Sequence, residues 1–346
     1  MKYNATVHNY ILSGCNWELT LGCTLSCMHC GSRAGRARQD ELTLDECFTV
    51  ADQLVSLGCK ETTLIGGEVF LFPGWDRLSA YLTDRGIAVN IISNGYVIGK
   101  TEIEQIKRAK LMNIGLSIDG METNHNRVRG RNDAFQRIKS ALCLLNEQGI
   151  KVGAITSLMR FNCSDLEDLY TFLSDNGVEV WQIQLVSPMG NMEQNKEAVT
   201  DPDQVRQILD FIRDKNRNRQ MVVIAADSLG YFDDNEAYVR GRSSLISCWG
   251  GCAAGVSSIF IDSIGNIKGC GALYSDDFIE GNLRITPLSE IWNSENAFAY
   301  NRKFTTDLLT GKCKDCEVGD VCKGGCRSSN YFNTKSPYSS VLCCRQ

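Results

Sequence analysis

The chain has 346 residues, 43% of them hydrophobic, and a formal net charge of −5. This composition is typical of a folded globular protein, and the excess of acid excludes a dominant non-specific grip on nucleic acid and a polybasic membrane anchor. The sequence has no apolar run of about 18 residues, so no transmembrane helix is expected. Its first residues lack the layout of a signal peptide, and we therefore predict a cytoplasmic protein.

Six short apolar runs predict β-strands, at 16–21, 62–67, 88–94, 113–119, 151–159 and 178–186. Amphipathic stretches between them predict helices, at 43–57, 73–84, 101–110, 133–148 and 164–175. Thr43 is the predicted N-cap of the first helix, and Pro73 suits the first position of the second. Strands that alternate with helices predict an α/β fold with a parallel sheet, open or rolled into part of a barrel, and with its chemistry at the carboxyl ends of the strands.

The chain divides into four predicted parts. Residues 1–15 form an N-terminal extension, and residues 16–218, which end in a further helix at 202–216, form the β/α unit. Residues 219–247 are polar and read as a bridge. Residues 248–346 form a small cysteine-rich domain with short helices, in which the stretch from Ser257 to Leu273 predicts a β-hairpin that turns around Gly265.

Cysteine is the most informative residue type, with 17 copies beside only 3 histidines. Thiols of a cytoplasmic protein stay reduced, so clustered cysteines indicate metal binding rather than disulfides. Four cysteines lie near the start, four are scattered through the middle, and nine crowd into 248–344. Such an uneven distribution does not suit a disulfide framework.

The first cysteine cluster is the segment GCTLSCMHCG, which places Cys23, Cys27 and Cys30 in a CxxxCxxC spacing directly after the first strand. A 4Fe–4S cluster normally takes four cysteines, so three would leave one iron open to another ligand. The alternative is a zinc knuckle with His29 as the fourth ligand. His29 stands between Cys27 and Cys30 and could not easily reach the same ion.

The second cluster fills the C-terminal third. Cys252 is followed by Gly265 and Cys270, and residues 313–326 then give a C-x2-C-x5-C-x3-C spacing, with Cys343 and Cys344 near the end. A pair of structural zinc sites is the alternative, because two all-thiolate sites would also need eight thiolates.

The first motif resembles that of the radical S-adenosylmethionine (SAM) family, in which CxxxCxxC follows the first strand of a partial (β/α)6 TIM-like barrel. The resemblance implies that the open iron binds the amino and carboxylate groups of SAM, and that an electron from the cluster breaks SAM into methionine and a 5′-deoxyadenosyl radical. It also implies SAM contacts at successive strand ends, with Val69 standing where the family usually has proline. The implied SAM-binding residues are Gly66, Gly67, Glu68, Ser93, Asn94, Ser117, Asp119, Arg137 and Pro188.

Among these, Gly66, Gly67 and Glu68 are expected near the methionine end of SAM. Ser117 and Arg137 are expected to reach its carboxylate, because a guanidinium–carboxylate contact fixes such a group strongly.

The C-terminal spacing is similar to that of the SPASM extension of radical SAM enzymes. The resemblance implies two auxiliary 4Fe–4S clusters, and so three clusters in all. The first auxiliary cluster would use Cys248, Cys252, Cys270 and Cys326, and the second Cys313, Cys316 and Cys322 with Cys343 or Cys344.

The remaining cysteines are expected to be packing residues. Cys47, Cys59, Cys143 and Cys163 read as buried apolar thiols. Cys15 precedes the first strand, where it could face the cavity as a hydrogen donor.

The resemblance predicts an enzyme of the peptide-maturase type, which modifies a ribosomally made precursor peptide by a crosslink, backbone excision or similar oxidative chemistry. Only about 15 residues precede the barrel, so a separate leader-recognition protein is implied, together with an electron donor such as flavodoxin or ferredoxin. The alternatives are a small-molecule SPASM dehydrogenase and a metal-bearing binding module without catalysis. No residue is assigned as the acid, base or hydrogen donor.

Overall fold

The computed structural model describes residues 10–218, 220–226, 229, 236–240 and 249–343. The strands are β1 (Gly14–Glu18), β2 (Glu61–Ile65), β3 (Ala88–Ser93), β4 (Asn113–Ser117), β5 (Val152–Leu158), β6 (Val180–Leu185), β7 (Val222–Ala225), β8 (Ser258–Ile261), β9 (Asn266–Lys268) and β10 (Gly281–Asn282). The first seven helices are α1 (Leu44–Ser56), α2 (Trp75–Thr83), α3 (Lys100–Ala109), α4 (Glu122–Arg129), α5 (Ala134–Glu147), α6 (Leu166–Asp175) and α7 (Pro202–Asn218). Five shorter helices follow: α8 (Glu236–Val239), α9 (Leu288–Asn293), α10 (Ala299–Arg302), α11 (Gly319–Cys322) and α12 (Arg327–Thr334).

All ten strands belong to one sheet, in the order β10-β9-β8-β1-β2-β3-β4-β5-β6-β7. Neighbours from β8 through β1 to β7 run parallel. Alternate residues such as Trp17, Leu64 and Ile91 are fully buried in the core that the helices cover. The residues between them are partly exposed on the other face. The alternating β/α order and the parallel sheet are as predicted and fit a partial TIM barrel.

A local capping signal accounts for the start of the first helix. Thr43 is the N-cap of α1, and its hydroxyl and the Glu46 carboxylate form the reciprocal bonds of a capping box. The prediction for Pro73 is wrong, because Gly74 is the N-cap of α2 with a φ of 87° and the helix begins at Trp75.

The sequence did not predict helix α4 or strand β7. Helix α4 has the sequence ETNHNRVR, and its buried side chains include His125 and Arg129 rather than an apolar stripe. Strand β7 lies inside the predicted bridge 219–247, so this segment extends the parallel sheet.

The cysteine-rich part shares the barrel's sheet. Strand β8 pairs in parallel with β1, with Asn16 opposite Phe260, and β9 returns antiparallel to β8 as the predicted hairpin. Gly265 makes the turn with a φ of 86°, a conformation that favours glycine.

The non-motif cysteines only partly match expectation. Cys15 lies within β1 on the helix-covered side and is 4% exposed, so the idea that it faces the cavity is wrong. Cys47 and Cys59 are buried and Cys163 is partly buried, but Cys143 is exposed and donates to the Glu147 carboxylate. Among the described helices, none combines the length and apolar character needed to span a membrane.

Candidate active site

The three N-terminal cysteines lie on a loop that leaves the carboxyl end of β1, here called the thiolate loop (residues 19–35). The loop closes on itself, because Gly35 N–H donates to Leu21 O at 2.9 Å and Cys23 N–H donates to Gly35 O at 3.1 Å. The segment after β2 anchors it, since Gly67 N–H donates to Thr20 O at 2.7 Å. Backbone hydrogen bonds to the sheet thus fix the position of the cysteines.

The glycine pair after β2 is required by this anchoring. A Cβ on Gly66 would lie 2.7 Å from Thr20 O, and one on Gly67 would lie 2.6 Å from Leu21 O. Real Cβ atoms do not approach a backbone oxygen so closely. The thiolate loop itself therefore demands glycine at both positions.

Each of the three sulfurs accepts a hydrogen bond from nitrogen. Leu25 N–H and the Asn94 side-chain amide donate to Cys23 Sγ at 3.5 and 3.7 Å. Arg129 donates to Cys27 Sγ at 3.6 Å, and Ala34 N–H donates to Cys30 Sγ at 3.3 Å. Burial raises the pKa of the Cys23 thiol to about 11, so a metal ion that replaces the proton would stabilise this thiolate. The donor set suits an iron–sulfur cluster, whose sulfurs are tuned by such hydrogen bonds.

A buried charged group lies directly beside Cys27. Arg129 is 7% exposed, and its guanidinium lies 2.7 Å from the carboxylate of fully buried Asp119. Burial alone would raise the pKa of Asp119, but Arg129 holds it below its usual value. Ser157 N–H donates to the same carboxylate at 2.8 Å. The Asp119 carboxylate, predicted to contact SAM, is therefore already engaged by protein groups.

Two histidines complete this buried group. His29 Nε2 lies 3.8 Å from the Asp119 carboxylate, and His125 Nδ1 accepts from Asp119 N–H at 3.1 Å. Burial lowers the pKa of His29 to about 4 and that of His125 to about 3, so both rings are neutral near pH 7. Residue spacing did not predict this group, although His29 lies in the cysteine motif and Arg129 lies four residues after His125.

Glu68, Ser93 and Asn94 form a second buried network at the ends of β2 and β3. The Ser93 hydroxyl and Asn94 N–H each donate to the Glu68 carboxylate at 2.9 Å. Burial nevertheless raises the pKa of Glu68 to about 7. This network positions the Asn94 amide that donates to Cys23.

The other predicted SAM contacts are more scattered. Ser117 ends β4, and in the described part of the chain its hydroxyl has no hydrogen-bond partner. The Arg137 side chain is 59% exposed and contacts Asp133 and the Tyr96 ring. These contacts do not bring Arg137 to the thiolate loop, and its role toward SAM stays a prediction.

The segment after β6 packs against the thiolate loop. Pro188 is partly exposed, and next to it the Met189 side chain contacts Gly31. Asn191 N–H donates to Cys30 O, and its side-chain amide donates to Cys27 O, both at 3.0 Å. Asn191 is a residue that the sequence did not single out.

Four C-terminal cysteines meet at one cavity of about 250 Å³. Its lining includes Cys313, Cys316, Cys322 and Cys343, and the predicted ligand set was the first three of these with either Cys343 or Cys344. Burial raises the pKa of Cys322 to about 11, and the nearby Cys313 and Cys316 add to the effect. Cys344 lies outside the described residues.

Three other cysteines approach two buried polar side chains. Burial raises the pKa of Tyr300, with further contributions from Cys252 and Cys270. Burial lowers the pKa of Arg327, and the nearby Cys252 and Cys326 partly offset this lowering. One Arg327 nitrogen is buried without a hydrogen-bond partner in the described structure, which fits a site for an anionic group. Cys248, the predicted fourth ligand, lies outside the described residues.

Within the described ranges, no three His, Cys, Asp or Glu side chains form a group that could hold one metal ion.

A further polar group lies on the face of the sheet opposite the helices. The Arg38 guanidinium donates to the Glu18 carboxylate and to the Tyr274 hydroxyl, both at 2.7 Å, and also contacts Ser263. The ring of Tyr274 lies 4.9 Å from Lys268 Nζ. These residues connect the end of β1 with the hairpin that carries Cys270.

A parallel β/α sheet with a three-thiolate loop at the carboxyl end of its first strand defines the class of SAM-dependent radical enzymes. The Radical SAM superfamily model matches residues 17–173, and the SPASM iron–sulfur cluster-binding domain model matches residues 252–317. Residues 17–173 thus form a radical SAM domain and residues 252–317 a SPASM domain, and the chain is an enzyme. Both domains imply 4Fe–4S clusters and SAM.

Curated relatives share sequence along most of the chain. The AdoMet-dependent heme synthase of Methanosarcina barkeri is 28% identical over 328 residues, which is 92% of this chain and 92% of the relative. The mycofactocin maturase MftC of Mycobacterium tuberculosis is 25% identical over 321 residues, 91% of this chain and 78% of the relative.

Solved structures share the fold. SuiB of Streptococcus suis bound to S-adenosylmethionine matches with a TM-score of 0.76 and 19% identity, covering 96% of this chain and 77% of SuiB. Native anSMEcpe with bound AdoMet matches with a TM-score of 0.73 and 18% identity, covering 96% of this chain and 94% of that protein.

Proposed function

We propose that this enzyme reductively cleaves SAM at a 4Fe–4S cluster held by Cys23, Cys27 and Cys30, and directs the 5′-deoxyadenosyl radical at a C–H bond of its substrate. The observation that best supports this proposal is the thiolate loop, in which each of the three sulfurs accepts a hydrogen bond from a nitrogen. When bound, the cluster supplies the electron that breaks SAM. His29 faces Asp119, and this position does not favour its use as a fourth metal ligand.

Other residues of the chain position the thiolate loop and bind SAM. Gly66 and Gly67 leave room for the thiolate loop to pack against the end of β2. Glu68 accepts a hydrogen bond from Asn94 N–H and so positions the Asn94 amide that donates to Cys23. We assign the SAM contacts to the strand ends that surround the loop, with Ser117 as the best placed free hydroxyl. Arg137 would have to turn away from Asp133 to reach SAM.

We propose three clusters in all. The shared cavity of Cys313, Cys316, Cys322 and Cys343 supports Cys343 as the fourth ligand of the second auxiliary cluster. Cys252, Cys270 and Cys326, with Cys248, would hold the first. Full ligation leaves no iron for the substrate, so we assign these clusters to electron transfer and to folding support.

For the substrate we propose a ribosomally made precursor peptide, with a separate leader-recognition protein and a flavodoxin- or ferredoxin-like electron donor as partners. The face of the sheet that turns away from the helices, here called the concave face, carries partly exposed residues of β1, β2 and β3, so it is open to an extended chain. Asn16, Thr63 and Asn90 lie side by side on this partly exposed face, where they could bond to peptide groups. The maturase relative supports this substrate class.

A tetrapyrrole is the second candidate substrate. It is favoured by the heme synthase relative, which matches 92% of this chain, and by a relative named Fe-coproporphyrin III synthase.

The deciding experiment measures metal, SAM cleavage and substrate dependence in anaerobically reconstituted protein. We expect roughly twelve iron and twelve sulfide per chain and 5′-deoxyadenosine on reduction with dithionite. Bound zinc without sulfide would overturn the proposal. Stimulation of 5′-deoxyadenosine formation by a peptide encoded beside the gene, but not by iron-coproporphyrin III, would select the peptide.

A Cys270→Ala variant tests the role of the first auxiliary cluster. It should still cleave SAM but form little modified product, because the electron left after hydrogen abstraction has no exit. Product formation at the normal rate would contradict electron transfer through this cluster.

A further inference from the structure

Lys268 is a buried lysine with no polar partner. It is 4% exposed and lies on β9 opposite Phe260, which in turn lies opposite Asn16 of β1. This row places it on the concave face of the sheet, away from the helices. Among the described residues, its ammonium group makes no hydrogen bond and has no carboxylate within 4 Å, and its one close contact is the Tyr274 ring.

Three carboxylates act on the Lys268 charge, those of Asp262, Asp276 and Glu18, and in the described structure none of them lies within 4 Å of the ammonium. Asp276 is exposed to solvent, and the other two are occupied by other groups. Glu18 pairs with Arg38 at 2.7 Å. Asp262 accepts from Ile264 N–H at 3.1 Å and from the backbone and side-chain nitrogens of Asn266 at 2.8 and 2.9 Å. A buried ammonium is costly unless it is paired and hydrogen-bonded. Its vacant donors therefore indicate an anionic group that comes from outside the chain.

The location of Lys268 connects it with the reaction centre. Tyr274, whose ring it contacts, is held by Arg38 and lies close enough to Cys30 for that thiol to affect its pKa. Cys270 follows Lys268 by two residues. A group bound to Lys268 would thus lie on the side of the sheet that faces both the thiolate loop and the first auxiliary cysteines.

We propose that Lys268 binds a carboxylate of the substrate and so orients the substrate on the concave face. A carboxylate fits better than a phosphate, because one ammonium beside the Tyr274 ring offers a single positive charge. Peptides carry such a group at the C-terminus and on acidic side chains, and coproporphyrins carry it on their propionates. This inference rests on the proposed function and adds the chemical group that the site would select.

The test compares acid and ester forms of two probes on cluster-loaded enzyme. The first probe is iron-coproporphyrin III, compared with its tetramethyl ester by absorbance. The second is a hexapeptide mixture with free or methylated carboxylates, whose binding is measured by equilibrium dialysis and mass spectrometry. Loss of a charged hydrogen bond costs roughly 10- to 150-fold in affinity. In wild-type enzyme we expect a preference of this size for the acid form of one probe, and the preferred probe identifies the substrate class.

Variants assign the preference to Lys268. Lys268→Met should abolish the acid preference and Lys268→Arg should keep most of it, with Lys268→Gln as the substitute if the Met variant does not fold. Lys151→Met, at a lysine with a 70% exposed side chain paired to Glu179, is the control. An acid preference that survives in Lys268→Met, or none for either probe in the wild type, would overturn the inference.

SAM cleavage without substrate is measured in parallel. It should be unchanged in Lys268→Met, because the residue touches neither the thiolate loop nor the strand ends assigned to SAM. Lack of SAM cleavage in the wild type would contradict the proposed function while leaving the binding comparison intact.

Discussion

The two cysteine-rich regions position their thiols in different ways. The thiolate loop is bonded to β2 through Gly67 N–H and to the segment after β6 through Asn191. The C-terminal set instead lies on turns and short helices, where Cys316 N–H donates to Cys313 O at 3.3 Å and Ser340 N–H donates to Cys313 Sγ at 3.4 Å. The thiolate loop is thus held in place by hydrogen bonds to segments that follow the strands, whereas the C-terminal cysteines are held mainly by hydrogen bonds within their own turns.

This difference has an energetic consequence. The anchors of the thiolate loop belong to strands with a large apolar core, so the loop can form before metal binds. Apart from its cysteines and glycines, the cavity of the C-terminal set is lined by polar residues and Val318. In such a region the free energy of metal binding becomes free energy of folding.

The strongest test of the comparison removes the three thiols of the N-terminal loop. The Cys23→Ala, Cys27→Ala, Cys30→Ala triple variant should lose about four of roughly twelve iron and all SAM cleavage. Its melting temperature should change little, because the sheet anchors remain. Iron analysis, product chromatography and calorimetry give the three readouts, and a large loss of stability would show that the loop also depends on its cluster.

The matching test at the other region is Cys316→Ala. It should also lose about four iron, but here residues 311–343 should exchange amide hydrogen faster while β1 to β6 stay protected. Hydrogen-exchange mass spectrometry measures this directly. Cys143→Ala, at an exposed cysteine outside both sets, is the control, and equal protection in Cys316→Ala and the control would remove the proposed contrast.

A third test disrupts the anchoring of the thiolate loop and leaves its cysteines in place. Gly67→Val places a side chain against Leu21 O and Gly22 O, so the thiolate loop must move. We expect a loss of about 1–3 kcal/mol in unfolding free energy and poor loading of the first cluster. Gly35→Ala is the matched control on the same loop, because a Cβ there would meet nothing within 4 Å. Normal loading in Gly67→Val would show that the anchor is dispensable.

The contrast also explains which features the sequence could predict. Strand periodicity predicted β1 to β6 within a few residues, and the cysteine spacings predicted two sets, of which Cys313, Cys316, Cys322 and Cys343 share a cavity. Helix α4 was missed because its buried residues include charged and polar side chains, which produce no apolar stripe.

The buried group of Arg129, Asp119 and His29 could not be predicted for a related reason. These residues come from the thiolate loop, β4's end and α4, and only the fold brings them together. Arg137 has the same charge as Arg129 and a family precedent, yet its exposure differs because it lies on the flank of α5. Residue type and spacing alone do not distinguish the two arginines.

The smallest expected effect concerns Arg129, the buried arginine that donates to Cys27 Sγ. This hydrogen bond and the positive charge would both stabilise the reduced, more negative state of a cluster bound there. Arg129→Met should therefore lower the midpoint potential of the SAM-binding cluster, measured by a redox titration followed with electron paramagnetic resonance. Part of the shift would come from the Asp119 carboxylate left without its partner. The Arg129→Met, Asp119→Asn double variant removes both charges and should recover that part, so that the remaining shift in potential reports the lost hydrogen bond.

The control is Arg131→Met, at a half-exposed arginine paired with Asp133, which should leave the potential unchanged. An unchanged potential in Arg129→Met would mean that the guanidinium only supports packing.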